Sequence, residues 1–204
     1  MRWPTIIIDD FFNDFEAVKK LSNELKYYPT DGTWPGLRSG FLSDVNRPFF
    51  DLTSYKILQA LYPHNYEDLM WSARMHFQRI PISGQGYVHQ DDDEISAIVY
   101  ISGSEKAGGT SLYKPKVFPY DRAGYVKEKH EAYKDSTQKG KMKQDLSKSV
   151  KQHNDQYEIT TTVNFKPNTL FAFDCNHHHA ADEFGGERCI LITFFENGVK
   201  LFRY

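Results

Sequence analysis

Cysteine is scarce in this 204-residue sequence, which contains only Cys175 and Cys189. Two thiols cannot build the kind of disulfide framework that stabilises many small secreted domains. We expect both thiols to be reduced in an intracellular compartment, and a structural disulfide between them is the weaker interpretation. The cysteine content therefore excludes a disulfide-rich secreted domain.

Long apolar runs are also missing. The N-terminal run Ile6–Ile8 stops at Asp9–Asp10, so it is too short for the core of a signal peptide. No stretch approaches the roughly 20 consecutive apolar residues that a membrane-spanning helix needs. A formal net charge of -2 provides no overall field that would attract nucleic acid or an anionic membrane. These absences predict a soluble, cytoplasmic protein.

The composition is sufficient for one packed domain, because 40% of the residues are hydrophobic and 15% are aromatic. We interpret residues 1–204 as a single domain with a helical support at 1–70, a core at 71–196 and a lysine-rich insertion at about 114–155. The insertion has few apolar residues, so we expect it to contribute little to the core. Within it, Tyr125–Lys134 has the composition of a short helix.

Patterns in the N-terminal third predict one strand and two helices. A strand at Thr5–Ile8 is followed by a capping-box arrangement at Asn13–Glu16 and by apolar residues at helical spacing. This first helix is expected to end near Tyr28–Pro29, and a second helix is expected at about Phe49–Tyr62. The apolar side chains that the second helix would bury are Leu52, Tyr55, Leu58 and Leu61.

From Trp71 onward, short apolar segments alternate with turn residues, which is typical of an all-β core. The expected strands are Ala73–Ile80, Ile95–Ser102, Thr110–Tyr113, Ile159–Phe165, Thr169–Asp174 and Arg188–Glu196. Many short antiparallel strands with helices gathered at one end predict a mainly β fold. We expect a double-stranded β-helix, that is, a cupin-like jelly roll, packed against the N-terminal helices.

The segment Tyr87–Asp91 contains a His-x-Asp triplet. Alternate side chains of an extended strand face the same way, so His89 and Asp91 would project together. A third ligand from the run His177–His179 would complete a two-histidine, one-carboxylate set that leaves three positions open on Fe(II). Zinc binds similar atoms, so a structural zinc site stays open as an alternative. A solvated surface turn at Asp91–Glu94 is the other alternative.

The order of motifs along the chain is more specific than the triplet alone. Gly84–Asp91 is followed by Ala97–Ser102, by Gly108–Tyr113 and by a segment from Leu170 through the three histidines to Leu191. In this order and content, the chain resembles the Fe(II)/2-oxoglutarate-dependent dioxygenases, and within them the prolyl 4-hydroxylase-like branch. The N-terminal third resembles phage and bacterial members of the same superfamily.

The resemblance implies a ligand set and a co-substrate pocket. It favours His179 as the third ligand, because Arg188 follows it by nine residues, a separation usual in this branch. His177 has the same strand parity and is the substitute, whereas His178 would face the other way. Arg188 is implied to pair with the distal carboxylate of 2-oxoglutarate, which Tyr100 would also contact. The implied cofactors are Fe(II), 2-oxoglutarate and O2, and ascorbate is left open as a reductant.

The implied reaction couples oxidative decarboxylation of 2-oxoglutarate to hydroxylation of a C–H bond. A prolyl or other residue of a peptide or protein ranks first as substrate, and a free amino acid or small metabolite ranks second. A nucleic acid ranks third, with local lysines as its only support, and no membrane partner is expected. Two rival interpretations are a non-catalytic, metal-binding jelly-roll module and a cupin-type enzyme without 2-oxoglutarate, in which Arg188 would be replaceable.

Overall fold

The computed structural model of the chain describes residues 4–29, 34–81, 84–117, 144–182, 186–196 and 200–201. The helices among these residues are α1 (Phe15–Glu24), α2 (Leu42–Val45), α3 (Arg47–Leu61) and α4 (Gln144–Asn154), with a 3-10 turn at Tyr66–Asp68. The strands are β1 (Ile6–Ile8), β2 (Tyr27–Pro29), β3 (Leu37–Ser39), β4 (Leu69–Met70), β5 (Ala73–Ile80), β6 (Ile95–Gly103), β7 (Thr110–Pro115), β8 (Tyr157–Val163), β9 (Leu170–Asp174), β10 (His178–Ala181), β11 (Arg188–Phe195) and β12 (Lys200–Leu201). The short helix expected at Tyr125–Lys134 lies outside the described residues.

Two antiparallel sheets make up most of the molecule. The large sheet has seven strands in the order β1-β9-β6-β11-β5-β3-β2, and the small sheet has three in the order β10-β7-β8. An isolated bridge between His89 and His179 adds the segment around His89 to the free edge of β10. The mainly β, jelly-roll architecture expected from the sequence is confirmed. β1, β2 and β3 come from residues 1–70, so this part of the chain extends the large sheet as well as supplying helices.

The helices begin where the sequence provides caps. The Asp14 side chain accepts a hydrogen bond of 3.1 Å from the Ala17 amide at the start of α1, as the capping arrangement predicts. The prediction that α1 extends to about Pro29 is wrong, because residues 27–29 pair with β3 instead. None of the helices in the described part of the chain is long and apolar enough to cross a lipid bilayer.

The second predicted helix exists as α3, but the prediction of its buried face is partly wrong. Leu58 and Leu61 are buried as expected, together with Phe50 and Ile57, whereas Leu52 is 70% exposed. Tyr55, which was also expected to be buried, is exposed. Apolar residues at helical spacing indicate that one face of a helix is buried, but the packing against the sheet decides which residues belong to that face.

The large sheet has two apolar faces, because side chains alternate along each strand. The outer face packs against the helices, with Phe77 and Leu191 among its fully buried residues. The inner face packs against the small sheet, and there Phe171 of β9 and Ile98 of β6 lie in one cluster with Leu112 of β7. The space between the two sheets is where the predicted site residues lie.

The end of the lysine-rich stretch differs from the expectation that it contributes little to the core. Its last residues form α4, in which Val150 is 1% exposed and both His153 and Asn154 are buried. β8 then begins at Tyr157, which is also buried. This helix has a low average hydropathy, so its composition gives no indication of the few residues that it buries.

Candidate metal centre

His89 and His179 lie opposite each other on neighbouring extended segments. The His89 amide donates to the His179 carbonyl at 3.0 Å, and the His179 amide donates to the His89 carbonyl at 2.7 Å. This reciprocal pairing is that of directly opposed residues in an antiparallel ladder, whose side chains emerge on the same face. The two imidazole rings are consequently 4.4 Å apart between centroids.

Asp91 completes a cluster of three possible ligands. Its carboxylate oxygens lie 3.5 Å from His89 Nε2 and 3.2 Å from His179 Nε2. One ligand atom from each of the three residues falls within 4.8 Å of the others, a spacing that can hold a metal ion. Among the described residues this is the one such group of histidine, cysteine and acidic side chains.

The Nδ1 atoms of His89 and His179 are hydrogen-bonded to backbone carbonyls. His89 Nδ1 lies 2.7 Å from the Tyr87 carbonyl, and His179 Nδ1 lies 3.1 Å from the His177 carbonyl. A carbonyl oxygen only accepts hydrogen bonds, so each Nδ1 carries a proton, and Nε2 is the ring nitrogen that faces Asp91. This is the arrangement of metal-binding histidines whose tautomer and orientation are fixed by a second hydrogen bond.

Burial by itself would raise the pKa of Asp91, but the neighbouring His179 and His89 outweigh it and hold that pKa well below its ordinary value. Asp91 is therefore a carboxylate, and the cluster offers one anionic and two imidazole donors. Such a donor set suits Fe(II) and leaves coordination positions open, so the residues present fit the metal that the resemblance implies.

The other two histidines of the run have different surroundings. His178 points away from the cluster and is buried, with its ring 5.0 Å from that of Tyr157. Burial lowers the pKa of His178 to about 4, so it is neutral at pH 7. His177 contributes its carbonyl to His179. The structure thus brings His179 to His89 and Asp91.

Arg188 lies deep between the sheets at the start of β11. Its side chain is among the most buried of the described residues, with 1% exposure. Its Nη2 donates to Thr110 Oγ1 at 3.0 Å, and its guanidinium lies 5.5 Å from the Tyr100 ring centroid. Burial raises the pKa of Asp182, and the Ser111 hydrogen bond and the nearby Arg188 charge offset only part of this effect.

Tyr100 lies on the inner face of β6 and is fully buried. Its hydroxyl lies within hydrogen-bonding distance, 3.3 Å, of the Val163 carbonyl. Burial raises the pKa of Tyr100, so the neutral phenol is the form present at pH 7. A phenol and a guanidinium side by side are both groups that can donate hydrogen bonds to a carboxylate.

Comparison with known families gives the following match. The profile of DUF6445, described as a family of unknown function, matches residues 2–183. The chain belongs to this family. No curated protein matches the DUF6445 chain significantly.

The fold of this DUF6445 chain is that of the 2-oxoglutarate oxygenases. HygX from Streptomyces hygroscopicus, solved with nickel, 2-oxoglutarate and hygromycin B, has a TM-score of 0.64 at 12% identity, covering 95% of this chain and 83% of HygX. A 2OG-Fe(II) oxygenase family oxidoreductase from Burkholderia pseudomallei has a TM-score of 0.58 at 12% identity, covering 98% and 88%. The viral collagen prolyl hydroxylase vCPH from Paramecium Bursaria Chlorella virus-1, in its 2-oxoglutarate complex, has 0.52 at 12%, covering 96% of each chain.

Three residues beside the site of the DUF6445 chain were not predicted from its sequence. Thr110 contacts Arg188, and the Ser96 hydroxyl lies 3.5 Å from Asp91 Oδ2. Asn154 binds the backbone of the His89 strand. Serine, threonine and asparagine are common surface residues, and neither Ser96 nor Asn154 belongs to a motif. Thr110 alone had a local signal, since it opens the strand after the Gly108–Gly109 turn.

The last turn of α4 acts as an edge partner for the strand that carries His89. Asn154 Oδ1 accepts from the Val88 amide at 3.0 Å, and Asn154 Nδ2 donates to the Gly86 carbonyl at 2.8 Å. His153 Nε2 lies 2.9 Å from the Val88 carbonyl, and its ring stacks on Tyr87 at 3.9 Å. On its other edge the same strand pairs with β10. The backbone next to His89 is therefore held from both sides.

Proposed function

We propose that this DUF6445 chain is a Fe(II)- and 2-oxoglutarate-dependent dioxygenase that hydroxylates a C–H bond. In this proposal His89, Asp91 and His179 hold the iron, and Arg188 and Tyr100 bind the co-substrate. The observation that carries it is the convergence of the three ligand atoms within 4.8 Å in a fold that also buries Arg188 beside Tyr100. Each part taken alone would be weaker support.

The residues of the chain have separate roles in the proposed reaction. His89 and His179 donate through Nε2, with their Nδ1 protons held by backbone carbonyls, and Asp91 contributes a negative charge. Arg188 and Thr110 position the far carboxylate of 2-oxoglutarate, which orients its other end towards the metal ligands. Iron, when bound with 2-oxoglutarate and O2, supplies the oxidation, in which 2-oxoglutarate leaves as succinate and CO2.

Apolar side chains on the inner faces of the sheets exclude water from this space. Phe173, whose ring lies 4.8 Å from that of His179, is fully buried beside the ligands. Ile98, Ile190 and Leu112 belong to the same cluster of buried residues. Exclusion of water strengthens the interactions of charged groups with Arg188 and limits side reactions.

A peptide or protein residue, prolyl above all, is the first candidate substrate, and a free amino acid or small metabolite is the second. The likeness to a viral collagen prolyl hydroxylase supports the first candidate. The second is supported by the likeness to HygX, which has been solved with hygromycin B bound and has the higher TM-score of the two.

The test is succinate production by the purified chain with Fe(II), 2-oxoglutarate and O2, with and without ascorbate. Succinate formation is expected to require Fe(II) and to fall at least about 100-fold in His89→Ala or Asp91→Ala, because each change removes a metal ligand. His178→Ala is the matched control, since this neighbouring histidine lies outside the ligand cluster. Tightly held zinc without turnover would support the non-catalytic module instead. Turnover independent of 2-oxoglutarate would support the cupin-type enzyme.

A further inference from the structure

A row of four side chains crosses the inner face of the large sheet. Residues in register on neighbouring antiparallel strands have their side chains on the same face. Phe173 of β9 is in register with Ser96 of β6, and Ser96 is in register with Phe194 of β11. Phe194 is in turn in register with Arg74 of β5. Arg74 is therefore the last member of a row that spans four strands.

This row contacts the candidate metal ligands at two places. The Phe173 ring lies 4.8 Å from the His179 ring between centroids, and the Ser96 hydroxyl lies 3.5 Å from Asp91 Oδ2. Both Phe173 and Ser96 are fully buried, so they form a packed support next to the ligands. Arg74, two strands beyond Ser96, makes a further contact with the segment that carries Asp91.

That further contact is an ion pair between Arg74 and Asp93. The Nη2 atom of Arg74 donates to both carboxylate oxygens of Asp93, at 2.8 and 2.9 Å. Asp93 follows Asp91 by two residues, and its side chain is only 12% exposed. The Arg74 side chain thus binds the chain very close to the proposed carboxylate ligand.

The guanidinium of Arg74 is itself held in one position. Its Nε forms a second ion pair, of 2.7 Å, with Glu196 Oε1, and Glu196 Oε2 accepts a 3.0 Å hydrogen bond from the Ser72 hydroxyl. The guanidinium also lies 5.6 Å from the Phe194 ring centroid. An exposed ion pair is usually weakened by the mobility of its long side chains. Here a second carboxylate and an aromatic ring reduce that mobility.

Backbone hydrogen bonds attach the end of the same segment to its neighbours. The Glu94 amide donates to the Phe195 carbonyl at 2.9 Å, and the Glu94 carbonyl accepts from the Cys175 amide at 3.0 Å. Asp91 precedes this attachment by three residues, and Asp93 lies between the two. The ion pair of Asp93 therefore restrains the chain nearer to the proposed ligand than the backbone bonds of Glu94 do.

We propose that Arg74 is a positioning residue of the metal centre, which binds Asp93 and thereby holds the segment 91–94 so that the Asp91 carboxylate faces both histidines. This inference rests on the proposed function, because it assumes that Asp91 is a metal ligand. Partners that orient metal ligands typically contribute about 10- to 100-fold to the affinity for the metal.

The sign of the effect on metal affinity separates positioning from a direct effect of charge. Arg74 is a cation, so its removal would by electrostatics alone leave the affinity for Mn(II) unchanged or raise it. Loss of positioning lowers the affinity instead. Arg74→Gln should therefore raise the dissociation constant of Mn(II) about 10-fold, measured by titration with electron paramagnetic resonance of the free ion.

A double substitution that keeps the net charge sharpens this test. Arg74→Gln combined with Asp93→Ala removes one positive and one negative charge. If the two residues acted only through their charges, the double variant would bind Mn(II) as the wild type does. In the proposed arrangement it binds about 10-fold more weakly, as Arg74→Gln alone does, because both substitutions break the same ion pair.

Two further variants serve as rescue and control. Arg74→Lys keeps a cation but lacks the planar fork that binds two carboxylates, so its dissociation constant should lie between those of the wild type and Arg74→Gln. Arg47→Gln removes an exposed arginine that pairs with Asp51 on α3, and it should leave the Mn(II) affinity unchanged. Because the Arg74 side chain is 44% exposed, we expect its variants to fold, which circular dichroism checks.

The inference and the proposed function fail in different ways. If the wild-type chain does not bind Mn(II), or binds it equally well after His89→Ala, the proposed metal site is wrong, and the proposed function with it. If binding depends on His89 but Arg74→Gln binds Mn(II) as tightly as the wild type or more tightly, the positioning role alone is wrong. Wild-type affinity in the double variant also contradicts that role.

Discussion

His89 and His179 are oriented by the same local device, in which Nδ1 donates to the carbonyl two residues earlier in the chain. Each ring is thereby held in one orientation, and each Nε2 faces the Asp91 carboxylate. Asp91 in turn has a lowered pKa because of the two imidazoles. The proposed ligand set is therefore pre-organised, and binding of a metal ion would require little rearrangement of these side chains.

The charge of Arg188 is expected to contribute most of the affinity for 2-oxoglutarate. Arg188→Gln should raise the dissociation constant of 2-oxoglutarate from the Mn(II)-loaded chain about 10- to 100-fold, since it removes a charge-assisted pair worth roughly 1.5–3 kcal/mol. Tyr100→Phe should raise it by less than about 10-fold, since a single neutral hydrogen bond is lost. Titration of 2-oxoglutarate into each variant measures the effect.

Because Arg188 is buried, Arg188→Lys is needed as a second variant that retains a charge. It should bind 2-oxoglutarate more tightly than the glutamine variant does. Unchanged affinity in both variants would contradict the assigned role and favour an enzyme that does not use 2-oxoglutarate.

The last turn of helix α4 hydrogen-bonds to one edge of the extended segment that carries His89, where a neighbouring β-strand could otherwise bind. Asn154 offers one acceptor and one donor at the spacing of a peptide group, and it binds both the Val88 amide and the Gly86 carbonyl. His153 satisfies the Val88 carbonyl from the same turn. The lysine-rich stretch thus ends in a segment that is coupled to the position of His89.

Asn154→Ala should weaken metal binding about 10-fold, the range seen when groups that orient a ligand are removed. The change leaves the buried Val88 amide without its acceptor, which should also lower the free energy of unfolding by about 1–3 kcal/mol. Mn(II) titration and urea denaturation measure the two effects. Lys151→Ala is the control, because this exposed residue lies on the same helix and pairs with Asp155. Equal effects of the two substitutions would show that the coupling is absent.

The two faces of the large sheet have different neighbours. Its outer face packs with the helices, and its inner face carries Tyr100, Arg188 and His76. His76 is nearly buried, and its Nδ1 lies 3.0 Å from the Ser39 carbonyl. Burial lowers the pKa of His76 from 6.5 to about 4, so the folded chain keeps this residue neutral at pH 5 to 7.

The lowered pKa predicts how stability depends on pH. Between about pH 6.5 and 4 the unfolded chain binds a proton at His76 that the folded chain does not bind, so stability falls as pH falls through this window. The urea midpoint in the presence of EDTA should therefore be lower at pH 5 than at pH 7. His76→Asn should flatten this dependence, although His178, whose pKa is also about 4, retains a slope of the same sign. A steeper dependence in the variant would contradict the prediction.

Local patterns in the sequence determined much of the fold. Alternating and helical spacing placed β5, with its predicted bounds, and most of α3, because these periodicities follow from the geometry of the backbone itself. Pairing of residues 27–29 with β3, which shortens α1, depends on a partner ten residues away. It has no local signal, and neither does the exposure of Leu52.

The candidate site, too, could be predicted only in part from the sequence. The residue types and their order can be read from the sequence, with His89 and Asp91 two residues apart, then a histidine run, and then Arg188. Contacts between distant parts of the chain place His179 opposite Asp91 and bring Asn154 and Thr110 beside the site. The physical reason is that strand parity fixes which side chains face together along one segment, whereas long-range pairing between strands decides what they face.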